Sequence, residues 1–253
     1  EVDLEYPAEL HDKHNDYPLC AEKLVVTKNM VSNYTTKIAE ELDIKQGKVP
    51  KLVPNLMNKE KYVLHGKCLK QALDLGLRLT KIHKVLKFKQ KPWLKSYIDY
   101  NTEKRKMAKN DFEKDYYKLM NNSVFGKTME NKRDRINVRL FTDEKKANKW
   151  VSKPTFISWK TFSEDLIALH SINECVKLDK AIAVGVAILE ISKVHMYDFH
   201  YNFIKEKYGD RAELLFTDTD SLCYEMRTDD AFADMYDNRE KWFDLSDMKN
   251  SEF

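Results

Sequence analysis

Glu213-Leu-Leu-Phe-Thr-Asp218-Thr-Asp220-Ser-Leu-Cys-Tyr-Glu-Met226 reads as two short strands folded about a polar turn. Apolar and aromatic residues flank Asp218-Thr219-Asp220-Ser221, and Asp and Ser stabilise turns by bonding nearby backbone. On an extended backbone residues i and i+2 share a face, so Asp218 and Asp220 are expected to aim at one spot. Such a pair suits a hard divalent ion, which takes one or two protein carboxylates and completes its shell with phosphate oxygens and water. A solvated Asp-rich turn would have the same sequence, so the decision rests on the residues upstream.

Ile188 to Tyr208 is an amphipathic stretch with Leu189, Met196, Phe199 and Phe203 on one stripe, and Gly209 follows as a stop signal. A helix packed beneath an antiparallel, carboxylate-bearing hairpin is an α+β layout. Further upstream stands Lys118-Leu-Met-Asn-Asn122-Ser123-Val-Phe125-Gly126-Lys127. If residues 103–122 are helical, Lys114, Lys118 and Asn122 fall on one face at i, i+4 and i+8. That face would offer two ammonium groups and an amide to phosphates. Gly126 is expected to let the backbone leave the helix or approach a flat ligand closely.

The two segments together resemble the family B DNA polymerases, most closely their protein-primed branch from viruses, organellar plasmids and DNA transposons. That family carries K-x-x-x-N-S-x-Y-G, then D-T-D-S, with D-x-x-S-L-Y-P upstream of both. The opening Glu1-Val-Asp3-Leu-Glu5-Tyr6-Pro7 matches the Tyr-Pro end of the last pattern. Two positions depart: Glu1 stands where the family has its metal-binding Asp, with Asp3 in a shifted register, and Phe125 replaces a Tyr.

The resemblance implies a polymerase palm, an antiparallel sheet with packed helices, plus helical fingers. It implies DNA-templated transfer of dNTPs to a primer 3′-hydroxyl by two Mg²⁺ or Mn²⁺ ions. Asp220 with Glu1 or Asp3 would hold the ions, and Asp218 would support them. Lys118 would hold the triphosphate beside Asn122, and Tyr6 would lie beneath the sugar. Lys114 and Lys106 would add phosphate contacts. Ser123, Phe125, Gly126, Lys127 and Thr219 would line the DNA side. A catalytically decayed nucleic-acid-binding remnant of the same fold is the second reading, and an RNA-templated polymerase the third.

Charge distribution fits a polyanion partner. Residues 59–95 hold 11 Lys/Arg against 2 Asp/Glu, a net +9, and residues 212–253 hold 4 against 12, a net −8. Basic stretches attract a phosphate backbone, and acidic ones attract cations. Lys87, Lys89 and Lys91 alternate with Phe88 and Gln90 as on one face of a strand that tracks DNA.

With 42% hydrophobic and 34% charged residues the chain has a globular profile. The expected organisation is residues 1–43 as the start of the palm, 44–95 as a basic insertion, 96–140 as fingers helices and 141–253 as the rest of the palm. By family analogy the insertion contacts a terminal priming protein, and the exonuclease and thumb domains are absent. Gly47, Pro50 and Pro54 mark a loop, and Thr142 starts a short helix ended by Pro154. His11 and His14 read as loop residues.

Cys20, Cys68, Cys175 and Cys223 are far apart, without zinc-ligand spacing, and read as ordinary buried thiols of a reducing, intracellular compartment. Nucleus, mitochondrion and viral replication site are not separated by this sequence. The longest apolar run, Ala181–Leu189, is too short to span a bilayer, so no membrane partner is expected.

Overall fold

Val2, Leu4 and Tyr6 alternate with Asp3 and Glu5, and the first set is buried while the second is not. That period of two makes β1 (Val2–Glu5) a half-buried strand. The computed structural model describes residues 1–44 and 47–245. Asp247, Lys249 and Glu252 of the acidic stretch, and two residues of the basic region, lie outside the described residues. The architecture is mixed α+β with small antiparallel sheets. It divides into two compact units, residues 1–90 with 189–253, and residues 91–188.

In the first unit β1 is followed by α1 (His11–His14), β2 (Glu22–Leu24), α2 (Asn33–Glu41), β3 (Lys51–Val53), β4 (Lys59–Tyr62), α3 (Gly66–Asp74) and β5 (Arg78–Ile82). β1 is the centre of a three-stranded sheet, antiparallel to β4 on one edge and β5 on the other. α3 ends where Gly76 takes φ +108°, a conformation open to glycine, with Leu77 N–H donating to Ala72 O at 3.0 Å and Gly76 N–H to Leu73 O at 3.0 Å. Val2, Leu4, Tyr6, Leu19, Ala72, Leu77 and Tyr201 form the core, each burial adding on the order of 1.5–3 kcal/mol for the larger side chains. Lys59, its side chain sealed from solvent, bonds Glu22 Oε2 at 2.9 Å and so ties the β2–β3 pair to this sheet.

The second unit opens with α4 (Lys95–Lys106) and α5 (Asp111–Thr128), followed by β6 (Asn137–Phe141), α6 (Glu144–Val151), β7 (Phe156–Ser163) and β8 (Leu166–Ser171). β8 is central, with β6 and β7 antiparallel on its two sides. Tyr97 hydroxyl donates to Met120 O at 3.2 Å, joining α4 to α5. Glu130 gathers Lys127, Arg135 and Lys180, which hold its carboxyl well below the usual range, led by the Arg135 hydrogen bonds. The division between units falls within α7 (Ile182–Phe199).

The chain then returns to the first unit through a π-helical turn (His200–Lys205), α8 (Glu206–Tyr208), β9 (Ala212–Asp218), β10 (Ser221–Met226) and α9 (Ala231–Asp237). Phe203, Ile204, Tyr208 and Ala212 make a second cluster, packed by Phe199, Tyr224 and Met226.

Several expectations are corrected. Residues 103–122 are not one helix: α4 stops at Lys106, and Asn110 caps α5 by accepting from Glu113 N–H at 2.9 Å. Gly126 does not release the chain, since α5 runs on to Thr128. Lys87, Lys89 and Lys91 follow the end of β5 in a segment that forms no strand, so no ladder imposes alternation on them.

Pro50 and Pro54 flank β3 instead of a continuous loop. His11 and His14 sit in α1, with His14 fully buried. The short helix is capped by Asp143, one residue past Thr142. Cys175 is exposed, while the other three free cysteines are partly buried. The compact units divide at 90/91 and 188/189, and β4 and β5 of the basic region pair directly with β1 in the first of them. Leu189, placed on the buried stripe, is 37% exposed.

Candidate functional site

β9 and β10 pair with Ser221 opposite Asp218, Leu222 opposite Thr217 and Cys223 opposite Phe216. The hairpin is thus closed by the two-residue loop Thr219-Asp220. Such loops need positive φ in their central residues, and Thr219 supplies it at +51°. A β-branched residue there is strained, and hydrogen bonds around Asp218 hold it: Asp220 N–H to Asp218 O at 2.6 Å, Ser221 hydroxyl to Asp218 O at 3.1 Å, Thr219 hydroxyl to Asp218 Oδ1 at 3.2 Å.

This turn removes the reason for expecting a shared face, since Asp218 ends the strand and Asp220 lies beyond a left-handed residue. Both carboxylates are exposed. Among the described residues neither has a cationic side chain paired with it.

Asp3 occupies a distinctive place in β1. Opposite it, both neighbouring strands bulge: the register shifts between Val2 and Leu4 on the β4 side, and between Asp3 and Leu4 on the β5 side. In β4 Lys61 takes φ +49° and turns its N–H to Asp3 Oδ1 at 2.7 Å. In β5 Thr80 hydroxyl donates to Asp3 O at 3.1 Å, and His83 Nε2 stands 2.7 Å from Asp3 Oδ1. The Lys61 amide, then His83, hold the Asp3 carboxyl below its ordinary range.

Bulges re-aim side chains and are frequent beside active sites. Here they open a cleft of about 420 Å³ lined by Asp3, Glu5, Asn58, Lys59, Glu60 and Lys61. Glu1 lies at the strand's start, its carbonyl accepting from His83 N–H at 2.9 Å.

Tyr6 is in the core at 4% exposure. Its hydroxyl lies 2.9 Å from His14 Nδ1 and accepts from Leu19 N–H at 3.3 Å. Burial pushes its hydroxyl up to about 12.

α5 keeps Tyr117, Met120, Asn121 and Val124 on a less exposed face, while Lys114, Lys118 and Asn122 are exposed on another. Lys114 stands 3.4 Å from Asp111, and Lys118 has no ion pair among the described residues. Ser123 hydroxyl bonds back to Met120 O at 3.3 Å, Phe125 is half-buried, Gly126 has open space where a Cβ would stand, and Lys127 pairs with Glu130 at 3.0 Å. Lys106 is in the last turn of α4 with Lys104 and Arg105, where cations favour the helix dipole. Lys87 and Lys89 are exposed.

The structure thus places Asp3, Glu1, Tyr6 and the hairpin in the first unit and the Lys118 face in the second. Among the described residues no hydrogen bond or ion pair joins Asp3 or Glu1 to Asp218 or Asp220, and no three His, Cys, Asp or Glu side chains group as a metal centre. Asp218 and Asp220 are of the chemical type a hard ion takes, exposed oxygen donors two residues apart, though no strand face holds them together.

Sequence reading missed the polar-tipped aromatics that pack beneath the hairpin. Tyr17, Tyr197, His200, Tyr201 and Tyr224 form one ring cluster with His14. Tyr197, His200 and Tyr201 are spaced i, i+3, i+4, a stripe separate from the apolar one.

A scan against protein-family models finds no match. Searches of curated proteins and of solved structures likewise find none.

Proposed function

We propose that this chain is the palm and fingers part of a DNA-templated DNA polymerase of the protein-primed family B type. The observation that carries the reading is the Asp218-Thr219-Asp220-Ser221 tip, which holds two exposed carboxylates on a strained turn, with no cationic side chain paired to either among the described residues. Strain at a turn persists where function makes use of it.

Asp218 and Asp220, with Asp3 or Glu1, would hold Mg²⁺ ions. When bound, two such ions about 3.5–4 Å apart stabilise the attacking and leaving oxygens of an in-line displacement. Lys118 is exposed on α5 with no carboxylate partner among the described residues and would meet the triphosphate, and Asn122 one turn on would add a directional contact. The bulges in β4 and β5 keep Asp3 over an open cleft instead of within a flat ladder. Positioning and charge neutralisation are the chief demands of phosphoryl-type transfer, and these side chains meet them without a nucleophile. The partners are a DNA primer-template and dNTPs, with the basic stretch of residues 59–95 toward the polyanion or a priming protein.

The second reading, a non-catalytic nucleic-acid-binding remnant, is favoured by one finding. β9 and β10 pair only with each other among the described strands, while β1 is bracketed by β4 and β5. Mg²⁺-dependent primer extension on a DNA template separates the two. Extension abolished by Asp220→Asn supports the enzyme, and DNA binding without extension supports the remnant.

A further inference from the structure

Residues 215–221, which carry the tip of the β9–β10 hairpin, are exposed. Polar contacts nearer its base tie it to the rest of the first unit. His200, fully buried in the π-helical turn, places Nδ1 2.9 Å from the Tyr224 hydroxyl, and the two rings stack at 5.9 Å and 14°. Tyr17 meets His200 edge-on at 5.4 Å. Lys205 ion-pairs with Asp16 and donates to Ala212 O at 3.1 Å, fastening the start of β9.

The Tyr224 contact coincides with a bulge. Cys223 pairs with Phe216, and Tyr224 pairs with Leu214, leaving Leu215 without a partner. A bulge bends its strand and increases the local twist, so a side chain clamped there governs where the rest of the hairpin points. The hairpin is therefore gripped on both strands, at its kink through Tyr224 and at the start of β9 through Ala212. The π-turn puts His200 and Tyr201 in the core together; π-turns within helices are rare and frequent at functional sites.

We propose that His200 is a positioning residue which, through Tyr224, aims the Asp218–Asp220 tip and thereby sets its affinity for a divalent cation. This rests on the reading of those carboxylates as a cation site. His200 does not touch the ion. It acts as the outer partners of ligands do, by limiting the directions the carboxylates sample before binding.

Mn²⁺ titration of the chain by water proton relaxation tests it, beside near-ultraviolet circular dichroism for the fold. The wild-type chain binds Mn²⁺, and Asp220→Asn loses it. Tyr224→Phe raises the Mn²⁺ Kd about tenfold, the low end for loss of an outer partner. Tyr62→Phe removes a hydroxyl that donates to Ala21 O at 2.8 Å elsewhere in the unit, and leaves the Kd unchanged.

Wild-type affinity in Tyr224→Phe overturns the positioning role alone. Weakening by Tyr62→Phe as large as by Tyr224→Phe also overturns it, since general loosening would then suffice. Mn²⁺ binding that is absent from wild type, or indifferent to Asp220→Asn, overturns the cation-site reading and this proposal with it.

Discussion

Tyr6 and His14 meet inside the core, with the tyrosine hydroxyl 2.9 Å from the imidazole Nδ1 and also within reach of the Leu19 amide. The Tyr of the Tyr-Pro pair therefore closes the loop that leaves β1, whatever else it does. Among the described residues His14 Nε2 has no partner, and the Tyr6 hydroxyl is the one hydrogen-bond partner of that ring.

Tyr6→Phe should destabilise the chain by about 1–3 kcal/mol, because a buried imidazole nitrogen and a buried amide lose their shared partner. Urea unfolding checks it, and a midpoint equal to wild type would show that the hydroxyl is dispensable.

Acid should unfold the chain earlier than its carboxylates alone require. Burial, the largest cause for each, lowers His14 and His200 from 6.5 to about 4. The unfolded chain takes up protons at these histidines near pH 6.5 and the folded chain does not. Stability is thus full above pH 6.5 and declines toward pH 4, each histidine removing up to about 3 kcal/mol. Urea midpoints measured from pH 7.5 to 4.5 should fall throughout that window. A flat profile across it would contradict the buried, neutral state.

Gly185→Ala should cost about 1–3 kcal/mol. A Cβ there would overlap Met129 Cγ and stand 2.5 Å from Met129 Sδ and 3.0 Å from Thr128 Oγ1. Adding Met129→Ala should recover part of the loss in thermal melts. If the two changes simply add, the contact is not the cause.

Lys118→Ala should weaken dNTP binding about tenfold or more, the worth of a charge-assisted hydrogen bond of about 1.5–3 kcal/mol. Its melting temperature should stay near wild type, since Lys118 is exposed and without an ion pair among the described residues. Unchanged dNTP affinity, read by equilibrium dialysis with Mg²⁺, would remove Lys118 from the triphosphate site.

The hairpin was legible because its signal is local: apolar runs on both sides of Asp218-Thr219-Asp220-Ser221, with turn chemistry between. The long helix ending at Gly209, where φ is +55°, was legible for the same reason. The α4–α5 break was not, because the Asn110 cap lies within a run of good helix formers and charges. Nor were the bulges around Asp3, which arise from pairing with β4 and β5 at distances of 58 and 77 residues along the chain. The His200–Tyr224 contact hides for a different reason: tyrosine and histidine read as surface residues by composition, and only packing reveals their polar tips as internal fasteners.

The first unit is discontinuous in sequence, with residues 91–188 between its two parts. Its core needs Tyr201 beside Val2, Leu4 and Tyr6. During synthesis the ribosome therefore releases the whole second unit before the first can close, and the first ninety residues wait with an unfinished core. That interval exposes the Val2–Tyr6 strand to chaperones, proteases and other chains, so slowing translation within residues 91–201 should reduce soluble yield more than slowing it within the first ninety.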